Sequence, residues 1–383
     1  MRPLRRFVPL VLVAGSLLGC STLQDLGAAS TAADLPALRS AARRLPVPSA
    51  DTLFALDPAF ERELRSPEWQ QLPTARRLER LLATLYGPAR EPFLYDASGS
   101  TTAAETWRRR RGDCLSLAVL TYASARVLGL TAQLQEVQVP RVLERRGRYD
   151  YVNFHVNVRV RVNSRDALES PHTKDVTIDF DPETANAPRG RPITEAAILA
   201  RYDNNIGVGL LAHGDRAGAY AHLQAALAAD PTFGATYLNL AVLAREEGAP
   251  AAAERWLREA LARGDEHGTA LAALHDLLVA QGRVAEAEPL ARELAAWRSA
   301  DPAHWIETGR AHLAAGEPRR AAVAFERALT LTAGRADLHR LLAAAYRQSG
   351  QPELAQQQMA RAQAVEGGTP VMAKWKGKSK PAP

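Results

Sequence analysis

Cys114, His155 and two aspartates, Asp179 and Asp181, are the residues whose types and order suit nucleophilic chemistry. A thiol with a pKa of about 8.5 is mostly protonated at neutral pH. Three influences make it a nucleophile: a helix N-terminus that favours thiolate, a histidine that takes the proton, and a carboxylate that orients the imidazole. The chain has 2 cysteines, and the second, Cys20, lies near its start. Asn153 and Gln135 are candidate donors to an oxyanion. His172 sits in a polar stretch and reads as exposed.

The elements that position these residues follow from periodicity. "TARRLERLLATLY" (74–86) reads as a helix that Gly87 and Pro88 break. Residues 101–110 predict another short helix. "CLSLAVLTYASARVLGL" predicts a helix that opens at Cys114, with Asp113 as its cap. The period then changes to alternation in 131–139, 151–162 and 175–182, as strands require. Val156, Val158, Val160 and Val162 share one face, so His155 takes the other with Asn153 and Asn157. Val176, Ile178 and Phe180 share a face, and Asp179 and Asp181 lie opposite, where periodicity does not separate them. Arg108, Arg109, Arg110 and Arg111 read as a solvated helix face.

"TAAETWRRRRGDCLSLAVLTYASARVLGLTAQLQEV" resembles the core motif of the transglutaminase-like, papain-like superfamily. "NFHVNVRV" is similar to its histidine strand and "VTIDFDPE" to its aspartate strand. The resemblance spans residues 101–183. It implies Cys114 as nucleophile, His155 as base, and Asp179 or Asp181 as orienting acid. The hydrophobic-Asp ending of the strand favours Asp179, and the Asp-Pro pair favours Asp181. Val156 and Ser116 depart from the family pattern, which bears on specificity more than on fold.

The N-terminus carries Arg2, Arg5 and Arg6, then an apolar run from 7 to 18, too short to span a bilayer as a mature helix. "LLGC" (17–20) follows and resembles the lipobox of bacterial lipoproteins. That resemblance implies cleavage before Cys20, its lipidation, and anchoring in the cell envelope. Ser21 fits the periplasmic face of the outer membrane. With Cys20 spent on lipid, no second cysteine remains for a disulfide with Cys114, which makes it a candidate reactive thiol.

Gly214, Gly248, Gly282, Gly316 and Gly350 recur every 34 residues. Ala219, Ala253, Ala287, Ala321 and Ala355 repeat in step. So do Ala226, Ala260, Ala328 and Ala362, with Leu294 in the odd unit. Leu257, Phe325 and Met359 are expected to fill the space between the two alanine registers. The period resembles the tetratricopeptide repeat, a helix pair per unit, which implies a superhelix with a concave surface for a protein or peptide partner.

The fold class expected is an α+β papain-like/transglutaminase-like domain, its cysteine helix packed on an antiparallel sheet, followed by an all-α tetratricopeptide-repeat superhelix. The bounds are 1–19 signal peptide, 20–48 tether, 49–200 transglutaminase-like domain, 201–366 repeats and 367–383 basic disordered tail. The charge of +6 falls to +3 without the three signal arginines, which with no dense basic patch argues against nucleic acid. The histidines along the repeats lack paired metal-ligand spacing. No phosphate loop and no Gly-x-Ser-x-Gly elbow is present, and no cofactor is expected. The functional expectation is a membrane-anchored cysteine peptidase, amidase or transglutaminase. The alternative is a non-catalytic repeat adaptor with a degenerate enzyme fold.

Overall fold

The structure is a computed structural model that describes residues 35–87, 93–96, 99–137, 143–146, 149–152, 155–162, 174–180, 190–264, 267–332 and 336–368. The signal segment, Cys20, Asn153, His172 and Asp181 lie outside these residues.

Five helices come first: α1 (Pro36–Ala42), α2 (Ala50–Phe54), α3 (Pro58–Leu64), α4 (Pro67–Gln70) and α5 (Thr74–Tyr86). Prolines open α1, α3 and α4 in the first turn, where a missing N–H costs little. β1 (Leu94–Tyr95) pairs in parallel with β2 (Arg111–Gly112) across α6 (Ala103–Arg109). α7 (Cys114–Val127) follows, then β3 (Thr131–Val137), β4 (Leu143–Arg146), β5 (Tyr149–Val152), β6 (His155–Val162), β7 (Lys174–Ile178) and β8 (Arg191–Pro192). The main sheet has the order β7-β6-β3-β8 and is antiparallel throughout.

α7 is apolar on nearly all sides because it is the centre of the first core. Leu115, Ala118 and Val119 join Val156, Val158, Val160 and Ile178 of the sheet and Phe60, Trp69 and Leu81 of the preceding helices in one buried cluster. The valine alternation thus has its predicted role.

Ten helices follow in five pairs: α8 (Glu195–Ala212), α9 (Arg216–Ala229), α10 (Gly234–Glu246), α11 (Pro250–Arg263), α12 (His267–Ala280), α13 (Val284–Ala300), α14 (Pro302–Ala314), α15 (Pro318–Thr330), α16 (Ala336–Gln348) and α17 (Pro352–Gly368). The five periodic glycines turn each pair, all at positive φ between 67° and 84°, where a Cβ would be strained. The two periodic alanine registers are buried throughout.

Four expectations are revised. Met359 is 39% exposed, because no further repeat among the described residues covers its face. The end of the segment expected as a tether packs on the array: Leu35, Leu38 and Ala42 lie against Leu211, Tyr220 and Leu223 of the first repeat. The domain boundary expected at 200 falls inside α8, whose Ile198 and Tyr202 join the first core while Leu211 joins the repeat core. The tail expected from 367 begins as the last turn of α17.

Candidate functional site

Cys114 is the first residue of α7. Asp113 caps that helix as predicted: its Oδ1 accepts from the backbone N–H of Ser116 at 2.8 Å and from Ser116 Oγ at 2.6 Å. Ser116 Oγ in turn accepts from the Thr101 N–H at 2.8 Å. Gly112 is there for space, since a Cβ would come within 2.7 Å of the Ser116 Cβ. Asp96 N–H donates to the Gly112 carbonyl at 3.0 Å, so the β1–β2 pair fixes the chain just before the thiol.

The arginines are more than a solvated face. Arg108 lies 3.5 Å from Asp57 and Arg111 3.9 Å from Asp96. Arg110 takes a left-handed turn at φ 53° to end α6, and its guanidinium stacks over Phe93 at 3.8 Å. They tether the approach to α7 by exposed pairs and by the cation–π contacts of Arg110 with Phe93 and Trp107.

His155 opens β6 and is buried. Its Nε2 lies 2.6 Å from Asp179 Oδ1, just past β7. The other carboxylate oxygen of Asp179 accepts from Asn157 Nδ2 at 3.1 Å. Asn157 is buried too, and its Oδ1 has no hydrogen-bond donor among the described residues. Sequence reasoning gave Asn157 a face and no role. Its signal was the register, which places it one alternation beyond His155 and opposite Gln135. Gln135 is buried on β3. Asp181 and Asn153 are outside the described residues.

The thiol meets the sheet next to this group. The backbone N–H of Val156, the residue after His155, donates to it, as does the N–H of Leu115, and Asp179 lies close enough for its charge to act there. Cys114 keeps partial access to solvent, yet protein surrounds its sulfur. Burial pushes the thiol up to about 12, the Asp113 charge adds to the rise, and the two N–H donors oppose it. The expectation that the helix N-terminus lowers this thiol is therefore outweighed by desolvation.

Comparisons with known proteins concern the repeats. No curated protein matches the chain. The tetratricopeptide repeat family matches residues 210–275 and 312–377. Among solved structures, the crystal structure of MamA protein is 20% identical, covers 44% of this chain and 92% of its own, and has a TM-score of 0.24. MamA 41-end from Desulfovibrio magneticus RS-1 is 16% identical over 45% of this chain and 97% of its own, with a TM-score of 0.25. Pseudomonas aeruginosa pilF is 22% identical over 46% of this chain and 79% of its own, with a TM-score of 0.26. From the helix pairs, the glycine turns and the family match together, the C-terminal half of the chain is a tetratricopeptide-repeat array, an architecture suited to binding protein partners.

Proposed function

We propose that the chain is an envelope lipoprotein, anchored through Cys20, whose transglutaminase-like, papain-like domain performs acyl transfer on a peptide or carboxamide bond presented by the repeats. The observation that carries this reading is the buried His155–Asp179–Asn157 group beside the Cys114 helix N-terminus. With Nε2 held by Asp179, Nδ1 of His155 exchanges the proton with the thiol. A thiol pushed up to about 12 is neutral at rest, so the proton leaves as the sulfur attacks. The S–C bond forms, His155 takes the proton, and the tetrahedral centre collapses. The C–N bond then breaks and His155 returns the proton to the leaving amine. Water resolves the thioester in a peptidase or amidase, and a second amine resolves it in a transglutaminase.

A second reading is a non-catalytic repeat adaptor, favoured by the same burial that keeps the thiol neutral. Alkylation of the folded protein by iodoacetamide separates the two. Wild type reacts at Cys114 at neutral pH, and His155→Ala slows the reaction by about a hundredfold or more. A thiol that reacts only on denaturation sinks the enzyme reading. Incubating wild type and Cys114→Ala with an envelope protein extract and a tagged amine then distinguishes cleavage from amine incorporation.

A further inference from the structure

The cap beneath the thiol is itself held by the repeat array. Asp113 Oδ2 accepts from Ser100 Oγ at 2.5 Å, and Ser100 is buried. Ser100 Oγ accepts in turn from Asn205 Nδ2 at 3.0 Å. Asn205 belongs to α8, the first helix of the array. Arg201, one turn earlier on α8, is buried and grips both sides of the junction. It donates to Glu136 on β3 at 2.7 and 2.9 Å and reaches Asp230 after α9 at 3.4 Å. Its guanidinium also lies 4.3 Å over Phe233 at the start of α10. Residues four apart share a helix face, so one face of α8 holds the sheet, the next repeat and the Asp113 cap.

We propose that Asn205 is a positioning residue for Cys114: through Ser100 it holds the Asp113 carboxylate in its capping geometry and so fixes the first turn of α7. A hydroxyl has one proton. The Asn205 amide occupies a lone pair of Ser100, which leaves that proton to Asp113. Remove the amide and the hydroxyl is free to rotate, and the carboxylate loses its second anchor. The groups that face this end of α7 are Asp113 on the same turn, His155 and Asp179 from the sheet, and Tyr202 of α8, which also feels Glu105 and Arg109. Hydrogen bonds from Ser100 and Ser116 spread the Asp113 charge, so their loss disfavours thiolate further. The consequence for reactivity rests on Cys114 as nucleophile; the consequence for the helix turn does not.

The test uses the full chain and three variants: Asn205→Leu, Ser100→Ala and the donor-retaining Asn205→Gln. Amide hydrogen exchange in the first turn of α7 reads the cap, and the pH profile of Cys114 alkylation reads the thiol. Asn205→Leu and Ser100→Ala are expected to speed exchange there by roughly three- to tenfold. They are also expected to slow alkylation at neutral pH by a similar factor, with the profile moved to higher pH. Asn205→Gln stays near wild type in both. Unchanged exchange at α7 in both disruptive variants overturns the proposal, and so does an equal rise in every helix, which marks general loosening. Faster exchange confined to α7, with a wild-type thiol inert to alkylation, upholds the positioning role and removes the nucleophile reading instead.

Discussion

At the scale of residues, Asn157 is the finding with the most direct consequence. Its Nδ2 and His155 Nε2 take the two oxygens of Asp179, one each. A buried carboxylate that loses the Asn157 donor gains freedom to rotate away from the imidazole, and hydrogen bonds to charged groups are worth about 1.5–3 kcal/mol. Asn157→Leu is therefore expected to slow alkylation of Cys114 at neutral pH by roughly tenfold or more, while Asn157→Asp adds a second negative charge and does not restore it. An alkylation profile in Asn157→Leu identical to wild type would show that Asp179 is held in place without Asn157. Cys114 and His155 stood out in the sequence because cysteine is scarce here and alternation assigns His155 to a face, whereas Asp179 stayed level with Asp181, which shares its strand face. Asn157 did not stand out, because an asparagine on a polar strand face looks like solvent-facing surface until the register sets it against Asp179. The thiol's proton affinity was not legible either. A helix N-terminus is visible in the letters "GDC", but the protein that closes over the sulfur is not.

At the scale of elements, the sequence located the helix at 74–86, the helix opening at Cys114 and three strands of the main sheet, β3, β6 and β7, since their periods are unmixed, and it missed β8, whose two residues carry no period. It did not place α1, whose partners Tyr220 and Leu223 are distant in the chain, and of the arginines read as a solvated face Arg108, Arg109 and Arg111 are exposed, while Arg110 is half-buried over the Phe93 ring. Helix pairing inside a repeat offers a sharper test. Gly309 is buried in α14, and a Cβ there would lie 2.5 Å from the Phe325 ring of α15. In an open helix, glycine to alanine gains up to about 1 kcal/mol. Here crowding wins, so Gly309→Ala is expected to cost about 1–3 kcal/mol. The urea midpoint of the array should fall, and Phe325→Leu in the same chain should recover part of the loss. A midpoint that rises in Gly309→Ala would mean the ring turns aside at no cost.

At the scale of the molecule, the array is packed as two blocks. One buried cluster runs from Leu35 and α9 to Leu278 and Ala287, and a separate one runs from Ile306 to Ala355. Between them lies α13, which buries Ala287 and Leu294 alone and carries Pro289 in its interior. The family match also skips this stretch, resuming at 312. Stability in a repeat array is the sum of unit and interface terms, so a thin interface divides it into cooperative blocks. α8 ties the first block to the sheet through Arg201, to the first core through Tyr202 and to the approach to α7 through Asn205. No such tie reaches α14–α17 among the described residues. The expected outcome of native-state hydrogen exchange in low urea is that α14–α17 open together, at lower urea than α8–α11, while α7 stays protected with α8. Deleting the interior proline, by Pro289→Ala, restores a backbone hydrogen bond to α13 and should narrow the gap between the two transitions. A single transition shared by all ten repeat helices would show that α13 transmits packing as fully as its neighbours do.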